Sequence, residues 1–571
     1  MDQMTEQHLK SPYLGAPVDQ MTMPHGAFVN QLMGEVYGKR RESKIRKIGK
    51  RITVLERFFL ENSVIIEGEN SVIFWDTGSN MGIGKKKYQL LRQITDKPVR
   101  AIIYSHSHYT NGARAFVPEG EEGKSIEIIG HPDIHKNCMN SGIELGPAFS
   151  RNIAQHFGMM LPRTGPDAAP INYEGGDGED KSSGYIRPTY EIKHEEELTI
   201  DGVRMQFFYS PSDANDSITL WLPDDDTVIT NSILSSLPNM YTLRGQPYRD
   251  PVMWMNGIDN IRRINPTYLV PEHGEVMITK EDSYELATAY RDSIAFIYSQ
   301  TIRGINKGLK PDEIAESVKL PEHLAKHPRL TETYLELKHH VKGVYSGLIG
   351  WFSIDAADIN PVPRKIRAQK LIQGFGGMDR VVNSAEESLV NKEYAWAAEL
   401  INYVLAVAPN HEQAKQIKAD ALRQMAYVTP ASSSRNFYLT QAYALEGKID
   451  FNQIPAGFSP VDEKRIGALP IEEAVRVLQY RIDPIKSGGT DAQIELHFID
   501  KNETLGLCIR KGVAECVHHA LQNPTYSLSI QSSDWYGLIF KRNDLSALLS
   551  SGRVKLTGDP QALIEILDMF E

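Results

Sequence analysis

A short apolar run that ends in a pair of histidines is the feature that most constrains the fold of this chain. The run Val99–Tyr104 (VRAIIY) has the length and composition of a buried strand, and it leads directly into SHSHYTNG (105–112). Upstream, residues 52–79 indicate three short strands separated by turns, and Lys87–Thr95 has apolar residues at helical spacing. Strands that alternate with a helix and then end in a polar loop are typical of an α/β domain. We therefore expect an α/β fold for the first half of the chain.

His106 and His108 are the strongest candidates for metal binding. Because side chains alternate along an extended chain, residues two apart project to the same side, and two imidazoles can share one ion. Two histidines are not a complete site, so a third protein ligand, often a carboxylate, is required. The same pair can also be interpreted as capping or surface histidines, in which case no metal is bound there.

Composition excludes several classes of function. The 571 residues include 62 basic and 73 acidic side chains, a formal net charge of −11, so the basic footprint of a nucleic-acid-binding protein is absent. Three cysteines cannot form a disulfide scaffold, which fits a reducing compartment. No apolar run is long enough to indicate a membrane span, and no signal peptide is evident. We expect a cytoplasmic protein without a nucleic-acid partner.

The sequence pattern changes twice along the chain. From about residue 282 long amphipathic stretches indicate helices, and residues 394–404 leave few polar positions over three turns. A surface helix needs only one apolar face, so this helix is expected to bury a second face, within the monomer or against a second chain. Thr429–Asn436 (TPASSSRN) has the composition of a linker. After residue 437 the pattern returns to alternating strands and helices.

Several motifs resemble those of one known family. The loop YSHSHYTNG is similar to the H-x-H-x-D-H-x-G metal loop of the metallo-β-lactamase superfamily. Other stretches resemble the alkylsulfatases of that superfamily that act on sodium dodecyl sulfate, and they are Tyr241–Gly245 (YTLRG), Tyr248–Asp250 (YRD), Leu348–Phe352 (LIGWF), Trp396–Leu400 (WAAEL) and Arg435-Asn436. The resemblance extends over nearly the whole chain in the same domain order.

The resemblance implies an α/β protein of three domains and a homodimer. It predicts an N-terminal arm (1–50), followed by a metallo-β-lactamase-like catalytic domain (51–284) with an αββα sandwich. An all-α dimerisation domain (285–430) and a C-terminal α+β domain of sterol-carrier-like fold (437–571) come next. Helices from two chains interlock in the family's dimerisation domain, and its C-terminal domain forms an apolar tunnel.

The resemblance also implies a set of ligands for a first metal. The two histidines of the family loop correspond to His106 and His108, and a carboxylate from the next segment corresponds to Asp213, with Asp216 as the alternative if the alignment shifts. The late histidine of the family corresponds to His273, which would act as a fourth ligand or a proton carrier.

Ligands for the second metal of the family are replaced. Its aspartate and histidine correspond to Thr110 and Asn111, and its bridging glutamate corresponds to Asn231. Because only second-metal positions are changed, we expect one ion per chain rather than two. Zinc is the expected ion, while iron(II), which accepts the same ligand types, and a metal-free site remain alternatives. The three neutral side chains can instead hold substrate through hydrogen bonds.

Arg244 is the best candidate for binding an anion, since a guanidinium can bind two oxygens of a sulfate at once. A structural salt bridge is the alternative role for this arginine. His339 matches a family histidine near the sulfate that can protonate the leaving group, although a helix-surface histidine is an equally good interpretation. Tyr241 is a weaker candidate for the same pocket wall.

The function that these residues favour is a metal-dependent hydrolase. It would cleave an alkyl sulfate ester, or a similar small amphiphilic anion, with a metal-activated water. Two alternatives stay open. The altered second-metal positions also suit a non-hydrolytic metalloenzyme of lyase or dehydratase type, acting on a small anionic metabolite. The degenerate loop also suits a catalytically inactive homologue that binds a lipid or an anion.

Overall fold

The structure of the chain, a computed structural model, describes residues 11–39, 43–139, 144–171, 180–234, 236–451, 470–539 and 541–570. These residues form two compact units. The first unit comprises the described parts of 1–134, 151–179 and 186–454, and the second comprises those of 135–150, 180–185 and 455–571. All the candidate site residues of the sequence analysis lie in the first unit.

A short N-terminal segment precedes the main sheets. Strands β1 (Gln20–Thr22) and β2 (Phe28–Asn30) pair antiparallel, and helix α1 (Gln31–Lys39) follows directly. Apolar side chains of this segment, including Tyr37, form a small core of their own around Ala168. The segment therefore contributes regular structure of its own, before the first strand of the main sheet.

Sheet I contains the strand that leads to the paired histidines. Its first four strands pair antiparallel and its last four pair parallel, so the central strand β6 has one neighbour of each kind. Helix α2 (Met81–Ile94) connects β6 to β7, and helices α3 (Ile134–Met139) and α4 (Gly146–His156) follow β8. In spatial order the strands are β3 (Lys44–Ile48), β4 (Ile52–Glu56), β5 (Ser63–Glu67), β6 (Val72–Trp75), β7 (Val99–Ile103), β8 (Glu127–Gly130) and β9 (Tyr190–Glu191).

Sheet II has five strands in sequential order. The first four pair antiparallel, and the last pair is parallel because helix α5 (Pro251–Ile264) forms a crossover between them. The strands are β10 (Glu197–Ile200), β11 (Val203–Tyr209), β12 (Ile218–Leu222), β13 (Thr227–Thr230) and β14 (Tyr268–Pro271).

The two sheets pack face to face around one apolar core. Ile103 and Trp75 of sheet I belong to the same buried cluster as Phe207 and Leu220 of sheet II. On the outer side of sheet I, Tyr88 of α2 contacts Phe116, which in turn contacts Phe74 of β6. On the outer side of sheet II, Trp254 of α5 packs with Tyr290 of the following helix. The predicted αββα sandwich is therefore confirmed.

Polar side chains gather where several strands of the sandwich end. His106 follows β7, Asn231 follows β13, and His273 lies just beyond β14. The backbone N–H of Ile218, at the start of β12, donates to the carbonyl of Ser105 across 3.0 Å. This bond joins the two sheets at the edge where these side chains lie, so residues that are far apart in sequence meet there.

Helices make up the rest of the first unit. Residues 394–407 form the predicted helix, whose Ala397, Leu400, Ile401 and Val404 are buried within the protomer, while Trp396 is 38% exposed. The helices are α6 (Lys280–Asn306), α7 (Pro311–Ser317), α8 (Glu322–Ala325), α9 (Leu337–Ile349), α10 (Arg364–Gly374), α11 (Met378–Val390), α12 (Tyr394–Val407), α13 (Glu412–Val428) and α14 (Ser432–Leu445).

The interpretation of Thr429–Asn436 as a linker is wrong. Residues 432–436 form the first turns of α14 and are buried. Arg435 is fully buried, and its guanidinium donates to the backbone carbonyls of Ala168 and Pro166, both at 2.7 Å, and of Phe28 at 3.0 Å. Serine and proline suggested a solvated connection, whereas these long-range hydrogen bonds satisfy the polar groups inside the protein.

The second unit contains a five-stranded sheet that is covered by helices. Ile494 and Leu528 of the sheet share a core with Trp535 and Leu563 of the helices. In spatial order the strands are β17 (Val513–Val517), β16 (Glu503–Arg510), β15 (Asp491–Phe498), β18 (Tyr526–Ile530) and β19 (Lys555–Thr557), and the helices are α15 (Ile471–Arg476), α16 (Ser532–Ile539), α17 (Leu545–Ser550) and α18 (Pro560–Leu567). Within the described residues of both units, helices that combine the length and the apolar character of a membrane span are absent.

Candidate metal centre and anion site

The two loop histidines face each other at the end of β7. Nε2 of His106 lies 2.9 Å from Nδ1 of His108, and Nδ1 of His106 lies 2.7 Å from Oγ of Ser105. The hydroxyl of Ser105 thus fixes the ring of His106, as second partners of metal-binding histidines commonly do. Burial lowers the pKa of His106 to about 4 and that of His108 well below its usual value, so both rings are neutral at pH 7 and can bind a cation.

Asp213 completes a group of three ligand atoms. It lies in the turn between β11 and β12, with Oδ1 3.9 Å from Nε2 of His106 and Oδ2 3.7 Å from Nδ1 of His108. Ligand atoms of the three residues all lie within 4.8 Å of one another. Burial alone would raise the pKa of Asp213, but the two histidines, Arg249 and a hydrogen bond from Asn231 outweigh burial and hold this pKa well below its usual range.

Asn231 donates a hydrogen bond to the Asp213 carboxylate. Its side-chain Nδ2 lies 2.6 Å from Oδ1 of Asp213 and 2.8 Å from Oγ of Ser217. The residue is fully buried directly after β13, and its own Oδ1 has no hydrogen-bond partner among the described residues. The amide therefore stabilises a charged acceptor, which a carboxylate at the same position cannot do.

A second layer of buried carboxylates supports the loop from below. Asp76, in the left-handed region at φ 57°, accepts the backbone N–H of Ser105 at 2.8 Å. Burial raises the pKa of Asp76 to about 7, and burial together with Asp76 raises the pKa of Glu272 well above its usual value. The buried Lys87, paired with Glu61, donates to the Asp76 carbonyl at 3.2 Å. This layer holds the start of the histidine loop in place.

His273 lies beside the group but outside the set of three ligand atoms. Its Nδ1 is 2.8 Å from the carbonyl of Leu60, so Nδ1 carries a hydrogen and donates it to that carbonyl. Nε2 lies 3.5 Å from the hydroxyl of Tyr109, whose ring contacts His106 edge to face. His273 is thus oriented towards the histidine loop by a backbone carbonyl.

Thr110 and Asn111 occupy the end of the same loop. Thr110 is fully buried, and its Oγ1 donates to the carbonyl of Ser107 at 3.2 Å. Asn111 is half-buried. Both side chains are neutral, so they add hydrogen-bonding groups but no charge to the centre.

Two arginines of the loop that precedes α5 (residues 239–250, the arginine loop) lie next to the metal-binding group. Nε of Arg244 is buried without a hydrogen-bond partner among the described residues, and so are Nε and Nη2 of Arg249. Nη1 of Arg249 donates to the carbonyl of Asn239. Burial lowers the pKa of Arg249 to about 10, so the guanidinium is still charged at neutral pH. Buried N–H groups without partners are costly, and an anionic ligand would satisfy them.

Helix α9 packs against this arginine loop through two glycines. A Cβ atom at Gly343 would lie 2.5 Å from Cβ of Tyr241, and one at Gly347 would lie 2.0 Å from the ring of Tyr248. His339 lies one turn before Gly343 on the same side of α9. Burial lowers the pKa of His339 to about 4, and the charges that act on it come from Glu336, Lys338 and Lys342 rather than from the histidine loop.

Three residues of this site escape sequence reasoning. The sequence marks Arg249 only as part of the YRD motif, although its guanidinium is buried and Asp213 opposes the lowering of its pKa by burial. His156, at the end of α4, forms a hydrogen bond with the half-buried Tyr334, and Arg244 and Arg249 act on the pKa of both side chains. The YRD motif was the available signal for Arg249, whereas the other two residues carry no local pattern.

Comparison with known proteins identifies relatives over most of the chain. Residues 310–448 match the family described as alkyl sulfatase dimerisation, and residues 460–571 match alkyl sulfatase C-terminal. A linear primary-alkylsulfatase from Pseudomonas sp. (strain ATCC 19151) is 35% identical over 470 residues, which are 79% of this chain and 87% of that protein. The alkyl/aryl-sulfatase BDS1 of Saccharomyces cerevisiae is 28% identical over 525 residues, covering 90% and 80% of the two chains.

A solved alkylsulfatase structure has a similar fold. The sec-alkylsulfatase Pisa1 from Pseudomonas sp. superposes with a TM-score of 0.85 at 23% identity, covering 95% of this chain and 87% of that one. This structural likeness supports the fold alone. The 35% identity to the Pseudomonas sp. (strain ATCC 19151) protein supports the family. By its identity over most of both sequences, the chain belongs to the alkylsulfatase family.

Proposed function

We propose that this chain hydrolyses alkyl sulfate esters with a single divalent metal ion held by His106, His108 and Asp213. The observation that carries the single-ion proposal is the 2.6 Å hydrogen bond from the Asn231 amide to the Asp213 carboxylate. In the family pattern a bridging glutamate corresponds to position 231. A carboxylate there would repel Asp213 unless a second cation lay between them, whereas the amide stabilises Asp213 without one.

The balance of charge supports the same proposal. Relative to the family pattern, Thr110 and Asn231 replace two carboxylates, and Asn111 replaces a neutral ligand. Two negative charges are therefore removed, which equals the positive charge of one absent divalent ion. A centre with one ion and these neutral side chains keeps the net charge of a centre with two ions.

The three residues suit a metal of the zinc type. Metal–ligand distances of about 2.0–2.2 Å place the ligand atoms roughly 3–4 Å apart, which is the range found among the three side chains. The low pKa of each ligand keeps it deprotonated at neutral pH. When bound, a zinc ion supplies Lewis-acid chemistry to an oxygen in its open positions. Zinc is the proposed ion because two imidazoles and a carboxylate are common in its catalytic sites.

Arg244 and Arg249 bind the sulfate group of the substrate. Their unpartnered N–H groups are donors for sulfate oxygens, and both guanidiniums carry the charge that a monoanionic ester requires. Tyr241 and Tyr248, which are 39% and 41% exposed, lie on the same loop and provide apolar surface for the alkyl chain. The site therefore suits an anion with an apolar tail.

His273 is the proposed proton carrier. Leu60 fixes a hydrogen on Nδ1, so Nε2 is the ring atom that would accept a proton from water during hydrolysis. Hydrolysis adds water across the ester, so that an alcohol and hydrogen sulfate are formed. His339 is neutral at pH 7 and remains a predicted donor to the leaving group through its N–H.

Release of inorganic sulfate from dodecyl sulfate, together with metal analysis, tests this proposal. We expect about one equivalent of zinc per chain, sulfate release, and loss of both in His106→Ala, with the exposed His323 changed to Ala as the matched control. Two equivalents of metal in the parent would refute the single-ion proposal. A parent that retains one metal but releases no sulfate would favour the non-hydrolytic alternative, and a parent without metal would favour an inactive binding protein.

The helical region is proposed to form a homodimer. Between α9 and α10 the chain carries a run of exposed apolar side chains, and Trp351 is 77% and Ile359 56% exposed. Such a run is unusual on a monomer, and it lies inside the segment that matches the dimerisation family. We expect sedimentation at micromolar concentration to give a dimer, with Trp351→Asp shifting it to a monomer more strongly than Trp396→Asp. A monomeric parent would refute the assembly.

A further inference from the structure

His156, which is buried, and Tyr334, which is half-buried, form a hydrogen-bonded pair. Nε2 of His156 lies 2.8 Å from the hydroxyl of Tyr334 and 3.0 Å from Oγ of Ser433. His156 is 1% exposed, and its Nδ1 has no hydrogen-bond partner among the described residues. Tyr334 itself is only half-buried, which leaves part of its side chain accessible.

The surroundings of His156 select one tautomer. Burial, and then Arg244 and Arg249, hold its pKa well below the usual value, so the ring is neutral and carries one hydrogen. Placed on Nδ1, that hydrogen would be a buried donor without an acceptor, which is the rarer and costlier defect in protein interiors. Placed on Nε2, it has two hydroxyl oxygens within reach. The hydrogen therefore belongs on Nε2.

This tautomer fixes what the Tyr334 hydroxyl does. When the phenol oxygen accepts from Nε2 of His156, its own hydrogen must be donated elsewhere. His156 is the hydroxyl's one hydrogen-bond partner among the described residues. Burial raises the pKa of Tyr334, so the hydroxyl keeps its hydrogen at neutral pH. The phenol is thus left as a neutral donor with a free hydrogen.

Helix α4 brings this pair to the arginine loop. Asn152 lies one turn before His156 on the same face of α4, and its Nδ2 donates to the backbone carbonyl of Arg244 at 3.1 Å. Besides burial, the groups that act on the pKa of Tyr334 include Arg244, Arg249 and Asp213, all of which belong to the proposed site. The hydrogen bond of Asn152 and the shared charges thus place the Tyr334 hydroxyl in the neighbourhood of the two guanidiniums.

We propose that Tyr334 donates a hydrogen bond to the sulfate group of the substrate and that His156 is the positioning residue that aims its hydroxyl. The proposal rests on the proposed function and extends it to a third donor, one that adds no charge. The two arginines attract the anion, while the tyrosine adds direction, since a hydroxyl that is held by His156 can meet only one position of an oxygen.

Two replacements of His156 separate positioning from packing. The amide of glutamine reaches as far as Nε2, so His156→Gln keeps a donor to the Tyr334 oxygen, whereas the shorter His156→Asn does not. We expect Tyr334→Phe and His156→Asn each to lower kcat/KM for dodecyl sulfate by about 10- to 100-fold. Loss of one hydrogen-bond donor to a developing oxyanion lowers kcat by about 100- to 1,000-fold, so the expected effect is at or below that range. His156→Gln should stay within about threefold of the parent, with zinc content unchanged in all three.

The double variant shows whether His156 acts through Tyr334 or only packs beside it. If His156 acts through Tyr334, adding His156→Asn to Tyr334→Phe should lower kcat/KM no further. The proposal would be overturned if the effects of His156→Asn and Tyr334→Phe on kcat/KM multiplied in the double variant. A loss of activity in His156→Gln as large as in His156→Asn would overturn it as well. Failure of His156→Asn to fold would leave Tyr334→Phe and His156→Gln as the deciding variants.

A binding experiment keeps this inference separate from the hydrolysis itself. Dodecane-1-sulfonate has the same anionic group but no ester to cleave, and its affinity for the zinc-loaded chain can be measured by calorimetry. We expect Tyr334→Phe to weaken it by about 10-fold or more, even if the parent proves inactive. A parent that hydrolyses dodecyl sulfate while Tyr334→Phe leaves both affinity and rate unchanged would refute the role of Tyr334 alone. A parent that neither binds nor hydrolyses would refute both proposals.

Discussion

Asn231→Asp is the substitution that tests the centre most directly. It keeps the shape of a fully buried side chain but exchanges an amide donor for a carboxylate. The parent amide donates to Asp213 at 2.6 Å and to Ser217 at 2.8 Å. In the variant two carboxylates meet at the distance of a hydrogen bond, in a place that water does not reach.

The size of the effect follows from these contacts. Losing a hydrogen bond to a charged group costs about 1.5–3 kcal/mol. Two negative charges about 3 Å apart repel each other by roughly 5 kcal/mol at an effective dielectric constant of about 20. At 1.36 kcal/mol per pKa unit, this repulsion raises the pKa of the pair by about 4 units, so the two carboxyl groups share a proton at neutral pH. That proton competes with the metal for Asp213.

Competition with a chelator measures the consequence. We expect the affinity of the variant for zinc to fall by about 10-fold or more at pH 6.5, because the pKa of the carboxyl pair then lies more than one unit above this pH and the bound proton must leave before zinc binds. Because the competing proton dissociates as pH rises, part of the loss should be recovered at pH 8.5. Ser217→Ala is the matched control, since it removes the neutral hydrogen bond without adding charge, and it should weaken zinc binding by less than about 10-fold.

Two results would refute this reasoning. Unchanged affinity at pH 6.5 would mean that the amide does not stabilise the metal-binding form of Asp213. Uptake of a second equivalent of zinc by the single variant would mean that one carboxylate is sufficient to restore a binuclear centre, although Thr110 and Asn111 are still neutral.

Three further substitutions give independent tests. Burial lowers the pKa of the fully buried His340 to about 3, whereas the unfolded chain binds this proton as pH falls below about 6.5. The protein therefore loses free energy of unfolding between pH 7 and 5, and His340→Leu should reduce that loss by about 2 kcal/mol in urea titrations. Equal losses in the parent and the variant would contradict this prediction. Arg249→Met should raise KM for dodecyl sulfate at least about 10-fold while zinc content stays constant, because it removes a sulfate donor and no ligand. Gly347→Ala places a Cβ 2.0 Å from the ring of Tyr248 and should lower kcat/KM about 10-fold or more, whereas Gly374→Ala, which meets no atom within 4 Å, should not.

Local pattern was sufficient to predict the part of the site that lies on one short segment. The apolar run into His106 and His108 predicted a strand followed by a loop, and β7 ends at Ile103 as that pattern requires. The two histidines are two residues apart, so their mutual geometry depends on the backbone of the loop alone. Asp213 needed the family resemblance, because it comes from the other sheet.

Residues whose position depends on tertiary contacts escaped prediction. His156 ends a helix and Tyr334 precedes another, and the two residues are 178 positions apart without a shared local pattern. The buried position of the serine-rich start of α14 also depends on tertiary contacts. Segments rich in serine and proline are usually exposed to solvent, whereas the burial of Arg435 depends on carbonyl groups more than 260 residues away in sequence.

The bonds of Arg435 also set an order for folding during synthesis. Its guanidinium binds the carbonyl of Phe28, 407 residues earlier, and the side chain of Asn30 donates to the carbonyl of Val428 at 2.9 Å. At about 5–20 residues per second, a ribosome needs roughly 20–80 s to synthesise the chain between these partners. The β1–β2 hairpin therefore leaves the ribosome long before α14 exists. The bonds that join one of the earliest segments of the first unit to one of its latest cannot form until nearly all of that unit has been synthesised.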